Sequence, residues 1–152
     1  MKILDVLNKN AILTDLKSTD KKGVIEELAS PLAQIAGMDQ ENLVTVLLER
    51  ERLGSTGIGG GIGIPHGKFK ELNTLLLGFG LSRKGVDFES MDNRPTHIFF
   101  MLITPENSTG LHLKLLSRIS RLLKNDLFKE KLQQAANADE IFGVIQDNDE
   151  DF

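Results

Sequence analysis

Histidine is the side chain whose ordinary pKa suits it to nucleophilic or proton-transfer work near neutrality, and this chain of 152 residues has three, His66, His97 and His112. It has no cysteine, which removes thiolate nucleophiles, disulfide frameworks and Cys-based zinc sites together and fits a reducing compartment. His66 lies near the end of Gly54-Ser-Thr-Gly-Ile-Gly-Gly-Gly-Ile-Gly-Ile-Pro-His-Gly67, a segment with seven of the 14 glycines. Ordering so many glycines costs backbone entropy, so such a cluster points to close backbone approach or positive φ. Ser55, Thr56, Gly57, Gly59, Gly61, Pro65 and Gly67 are therefore candidate binding residues. Pro65 fixes the backbone before His66, and Gly67 leaves its ring uncrowded. An imidazole with a pKa of about 6.5 is mostly neutral at pH 7 and can attack phosphorus without a general base, whereas Ser or Thr would need one. His66 is thus a candidate nucleophile; the bland alternative is a loop histidine that caps a turn.

Two nucleotide-loop readings fail on register. A Walker A loop ending at Gly67-Lys68 needs glycine at 62 and Ser or Thr at 69, where Ile62 and Phe69 stand. A G-x-G-x-x-G register would need glycine at 62 or 64. No H-E-x-x-H occurs and no two histidines are spaced i, i+4, so neither a metal nor a cofactor is expected.

His112 falls at the start of a helical pattern whose apolar face carries Leu115, Leu116 and Ile119. A phosphoryl group there would meet free backbone N–H groups as well as the imidazole, which suits a supporting role beside His66. A histidine half-buried beneath the loop is the other reading. His97, within an apolar strand pattern, reads as structural. Arg50 leaves the preceding helix at the margin of its apolar stripe, just before the glycines. Its planar fork could hold phosphate oxygens, or it could be a solvated helix end whose neighbours Glu49, Glu51 and Arg52 pair to little effect.

The elements that must position these residues alternate in period. Ala11 to Leu16 reads as a strand; after capping candidates Ser18 and Thr19, a helix follows Val24, Ile25, Leu28, Leu32 and Ile35, with a break or kink expected at Pro31 and an end at Gly37. Asp39 can cap a second helix with Leu43, Val44, Leu47 and Leu48 on one stripe, stopped by Gly54. Thr74 to Leu81 and Thr96 to Ile103 read as buried strands, with a turn at Lys84-Gly85 and a short strand at Val86 to Phe88 between them. Helical patterns follow from Thr109, over Asp126 to Ala135 and over Ala138 to Ile145. The expected fold is α/β: a single-domain sandwich, a mixed sheet with helices on both faces.

Length fits one domain, residues 1–146, ahead of an acidic tail, 147–152. Asp147, Asp149, Glu150 and Asp151 account for the whole net charge of -4, so the body is neutral and the tail is expected to be solvated. With no basic excess, and Phe as the sole aromatic type besides His, nucleic acid is not an expected partner. The first ten residues show an apolar-rich turn of helix without a signal-peptide pattern, and the longest apolar run, Ile98 to Ile103, is far short of a span. A cytoplasmic protein without membrane insertion is expected.

From Arg50 to Lys68, Arg-Glu-Arg-Leu-Gly-Ser-Thr-Gly-Ile-Gly-Gly-Gly-Ile-Gly-Ile-Pro-His-Gly-Lys, the chain resembles the IIA proteins of the bacterial phosphotransferase system, fructose/mannitol type, and among them the nitrogen-regulatory branch. The resemblance continues through Phe88-Glu-Ser-Met-Asp-Asn-Arg-Pro95, Leu102-Ile-Thr-Pro105 and His112-Leu-Lys-Leu-Leu-Ser117. Where many relatives have Asn and Ala in the loop, this chain has Gly60 and Gly63. The resemblance implies that His66 is phosphorylated, through Nε2, by the phosphohistidine of an HPr-like carrier that enzyme I loads from phosphoenolpyruvate. It implies that Arg50 and His112 orient the group or stabilise its charge.

Transfer between histidines of two proteins predicts a shallow apolar rim around His66, for which Ile58, Ile62 and Phe69 are candidates. A nitrogen-type regulator with a target protein is the leading reading. A fructose-type IIA component passing phosphate to a IIB domain for sugar uptake is the alternative; an unphosphorylated protein-binding module is the alternative from another class.

Overall fold

The run Thr-His-Ile-Phe-Phe-Met-Leu-Ile-Thr-Pro is apolar on both sides of a strand, so it must be covered twice. In the computed structural model, which describes residues 1–152, it forms β6 (Thr96–Pro105) at the middle of a six-stranded mixed sheet. Ile98, Phe100 and Leu102 enter one core and Phe99, Met101 and Ile103 the other.

On one side β6 pairs antiparallel with β5 (Leu76–Val86), which pairs parallel with the edge strand β1 (Leu7–Leu13). On the other side, β3 (Ile62–Gly63) and β4 (His66–Phe69) run parallel to β6 one after the other, and β2 (Gly57–Gly59) closes the edge antiparallel to β3. Helices α1 (Lys21–Ala36) and α2 (Gln40–Arg52) cover one face. Helices α3 (Thr109–Leu122), α4 (Asp126–Gln134) and α5 (Ala138–Gln146) cover the other. The single α/β domain expected from the sequence is the one observed, and no helix is long and apolar enough to cross a membrane.

Local chemistry explains the boundaries and several departures from expectation. Gly37 ends α1 at φ 66°, the left-handed position that glycine takes without penalty. The N-cap of α1 is Asp20, whose carboxylate accepts from the Gly23 N–H at 2.8 Å, in place of Ser18 or Thr19. Pro31 does not end α1; Ala29, Leu32 and Ala33 around it are buried against the sheet. The expected turn at Lys84-Gly85 is absorbed into β5, where Gly85 at φ 92° lies within an irregularity in the pairing to β6. β1 starts earlier than expected, preceded by a 3-10 turn at Ile3–Asp5.

The acidic end is not wholly solvated. Asp149 is buried and accepts from the backbone N–H groups of Ile3 and Leu4 at 2.8 and 2.9 Å, closing the end of the chain onto its beginning.

Candidate functional site

The glycine-rich segment is an edge structure of three short strands rather than an open loop. The N–H of Leu102 on β6 donates to the Pro65 carbonyl at 2.9 Å, and His66 opens β4 in register with Leu102. Pro65 is buried while His66 is only half-buried, so the imidazole sits where the sheet edge meets solvent. Alternation along β4 places Lys68 on the same side as His66.

Across from β4, the first turn of α3 delivers His112, 4% exposed. The two imidazoles meet edge-on, with centroids 5.3 Å apart and planes at 67°. Arg50 arrives from the last turn of α2. One of its guanidinium N–H groups donates to the Gly54 carbonyl at 2.9 Å, which holds the side chain without using its remaining donors. His66, His112, Arg50, Gly67 and Lys68 line one open cleft, with Glu49 at its side.

Nδ1 of His66 lies 2.7 Å from the Ile64 carbonyl oxygen. A carbonyl can only accept, so Nδ1 carries the proton and Nε2 keeps its lone pair. Burial lowers the pKa of His66; the bond to Ile64 works against this shift and the positive charge of Arg50 works with it. His112 is pushed down to about 4, first by burial and then by His66 and Lys68. At neutral pH the site therefore pairs two uncharged imidazoles beside two cations, a setting that can offer a neutral nitrogen nucleophile and compensate the charge of an incoming anion.

The structure brings together His66, His112, Arg50, Pro65 and Gly67, but it gives the other sequence candidates different work. Ser55 donates to the Phe88 carbonyl, Thr56 is tied to Glu51, and Gly57 lies against Ser90. Gly59, the last residue of β2, and Gly61, in the turn that leads to β3, take positive φ. These residues hold the hairpin and do not line the cleft.

The proposed rim is also different. Phe69 and Ile62 are 2% and 5% exposed core residues, because alternation turns Phe69 inward and Ile62 pairs with the centre of the sheet. Ile58 is exposed but belongs to the hairpin, outside the cleft. The apolar rim is made instead by Leu53 and Leu113, 85% and 59% exposed, with Val46 and Leu116. Leu113 lies off the buried stripe of α3, and an apolar residue on the polar side of a helical period was the available signal. His97 contacts the Ser82 carbonyl through Nδ1 at 2.8 Å and lies outside the cleft, as its structural reading expected.

Sequence reasoning missed Glu51. It is buried, accepts from the Thr56 N–H at 3.0 Å and from the Thr56 hydroxyl, and pairs with Lys21 at 3.1 Å. It thereby ties the end of α2, and Arg50 with it, to the start of the glycine segment. Within a charged run it looked like a solvated helix end, and no local pattern marked its burial.

A two-faced α/β sandwich that presents a strand-borne histidine against a helix-borne histidine in an open cleft defines a histidine-centred class of site. The chain belongs to the family described as phosphoenolpyruvate-dependent sugar phosphotransferase system, EIIA 2, whose model matches residues 5–148. It is 39% identical over 145 residues to a nitrogen regulatory protein of Bradyrhizobium diazoefficiens, covering 95% of each chain. It is 37% identical over 150 residues to the fructose-specific EIIABC component of Bacillus subtilis, covering 98% of this chain and 24% of that longer protein. The crystal structure of nitrogen regulatory protein IIA-Ntr from Neisseria meningitidis superposes with a TM-score of 0.88 at 30% identity, over 93% of this chain and 97% of that one.

Proposed function

We propose that the protein is a cytoplasmic phosphocarrier of the nitrogen-regulatory type, which accepts a phosphoryl group on His66 Nε2 from the phosphohistidine of an HPr-like carrier. The observation that carries this reading is the bond from His66 Nδ1 to the Ile64 carbonyl, which leaves Nε2 unprotonated. In the transfer, the Nε2 lone pair forms the new P–N bond. The P–N bond of the donor breaks, and its electron pair returns to the donor imidazole. Charge on the equatorial phosphoryl oxygens is met by Arg50 and the donors of His112 and Lys68, so positioning and electrostatics suffice. The apolar rim of Leu53 and Leu113 suits a carrier that must bring its own histidine into line.

Intact-mass measurement tests this. Incubation with enzyme I, the HPr-like carrier and phosphoenolpyruvate should add one phosphoryl group to the wild type and none to His66→Ala. No gain with partners that load a known relative would overturn it in favour of a binding module, which should still bind its partner as His66→Ala. Equal gain in both proteins would move the nucleophile to another histidine.

A fructose-type IIA role, passing the group to a IIB domain, is the second reading, favoured by the 37% identity to the fructose-specific component. Reconstitution with a IIB domain and its permease separates the two, because only this role makes sugar phosphorylation depend on the protein. In the regulatory role, the added charge of about -1.5 to -2 alters the face that a target protein meets.

A further inference from the structure

Thr104 lies in β6 directly behind the cleft, paired with Lys68 of β4, and is wholly buried. Its hydroxyl oxygen is 2.8 Å from Nδ1 of His112, and this is the one hydrogen bond that the hydroxyl makes. A hydroxyl can donate or accept, so the distance alone does not set the direction. Burial does. If Nδ1 of His112 donated to Thr104, the threonine proton would be left in the core without an acceptor, a situation folded proteins avoid. If Thr104 donates to Nδ1, the hydroxyl proton and the Nδ1 lone pair satisfy each other, and the single proton of the neutral imidazole stands on Nε2, the nitrogen away from Thr104 on a ring that lines the open cleft.

We infer that Thr104 is a positioning residue that fixes His112 as the Nε2–H tautomer and so turns it into a hydrogen-bond donor towards the cleft. The inference deepens the phosphocarrier reading and rests on it for its catalytic consequence, while the tautomer itself is a property of the unphosphorylated protein. Two histidines are thereby given opposite roles by their second partners. Ile64 offers a carbonyl and strips Nε2 of His66 for attack; Thr104 offers a hydroxyl proton and arms Nε2 of His112 to donate to a phosphoryl oxygen. A His112 with the other tautomer would present a second lone pair to the same oxygens. The charged and titratable groups facing His112 are His66 and Lys68 from β4 and Arg50 and Glu49 from α2.

The test compares wild type, Thr104→Val, which keeps the shape and removes the proton, and Thr104→Ser, which restores it. Nitrogen-15 histidine correlation spectra at pH 7.5 should show His112 as the Nε2–H tautomer in wild type and T104S, and a shift towards Nδ1–H in T104V with His66 unchanged. Phosphoryl acceptance from the loaded HPr-like carrier should fall about tenfold in T104V and recover in T104S. An Nδ1–H tautomer in the wild type, or the same Nε2–H tautomer in T104V, would overturn the inference. If the wild type took up no phosphoryl group, the phosphocarrier reading would fail, and the spectra alone would still decide the role of Thr104. Should T104V fail to fold, the wild-type tautomer remains decisive.

Discussion

The rings of His66 and His112 meet edge-on at 5.3 Å although they belong to a strand and a helix 46 positions apart in the chain. β4 is held by β6 and α3 follows β6 directly, so one central strand sets both sides of the cleft. Arg50 comes from the opposite face of the sheet, where α2 ends, and the three residues converge at the edge where the two helical layers come close.

Arg50→Ala should slow phosphoryl acceptance about 10- to 100-fold, the loss expected when charge-assisted hydrogen bonds to a developing anion are removed. The domain should stay folded, because Arg50 makes one hydrogen bond, to Gly54, and contributes little to either core. Rapid-quench transfer kinetics with circular dichroism as the control decide this, and unchanged kinetics would remove Arg50 from the site. His112 substitution should give a milder loss and His97 substitution none.

Acid should destabilise the protein through His112. Its native pKa of about 4 lies below the unfolded value near 6.5, so between these pH values the unfolded chain binds more protons than the native one. Unfolding free energy therefore falls as the pH drops through this window and levels off below about 4, where native His112 also protonates. At that limit the loss attached to His112 is at most about 3 kcal/mol, reduced by water reaching the open cleft. Urea unfolding at pH 7.5 and pH 4.5 should show a larger loss in wild type than in His112→Gln. An equal loss in both would place the acid sensitivity elsewhere, with His66, whose pKa is also lowered, as the next group to test.

Much of this arrangement was readable in the sequence where a period or a cap exists. The double-sided apolar run of β6, the end of α1 at Gly37 and the stripe of α3 all follow from spacing. The residues of the glycine segment were found as a group, but their roles were not. With so few side chains, 54–67 has no period, so nothing local showed that His66 begins a strand or that Phe69 turns into the core. Glu51 and Asp149 failed for a related reason. A carboxylate in a charged run looks solvated until the fold brings Lys21 to one and two backbone N–H groups to the other. Thr104 differs again: it lies one residue past the strand read from Thr96 to Ile103, and its partner His112 was set by how α3 folds back.

Glu51→Gln should destabilise the domain by about 3 kcal/mol, since removing one member of a buried pair leaves the other charge uncompensated. Lys21 would keep the exposed Glu89 carboxylate at 3.6 Å and the face of the Phe88 ring, whose centroid is 5.0 Å from Nζ. The double variant Glu51→Gln/Lys21→Met should recover part of that loss, because it removes the stranded ammonium. Denaturant midpoints for the three proteins and wild type measure it. A double variant no more stable than Glu51→Gln would mean that Glu51 acts through Thr56 alone.

Two glycine-to-alanine changes should move stability in opposite directions, although both positions have ordinary φ. A Cβ on Gly80 in β5 would lie 2.6 Å from Leu28 Cδ2 and 2.8 Å from Leu16 Cδ1, where α1 presses on the sheet. Those leucines are fully enclosed and have little room to withdraw, so Gly80→Ala should cost about 1–3 kcal/mol as an overpacked core does. Gly143 sits inside α5 with nothing within 4 Å of an added Cβ. There alanine meets no neighbour and restricts the unfolded chain, so Gly143→Ala should gain up to about 1 kcal/mol. Urea midpoints at constant slope measure both. A gain at Gly80 would mean that the contact between α1 and β5 is looser than these distances show, and a loss at Gly143 would mean that α5 needs glycine for a reason other than space.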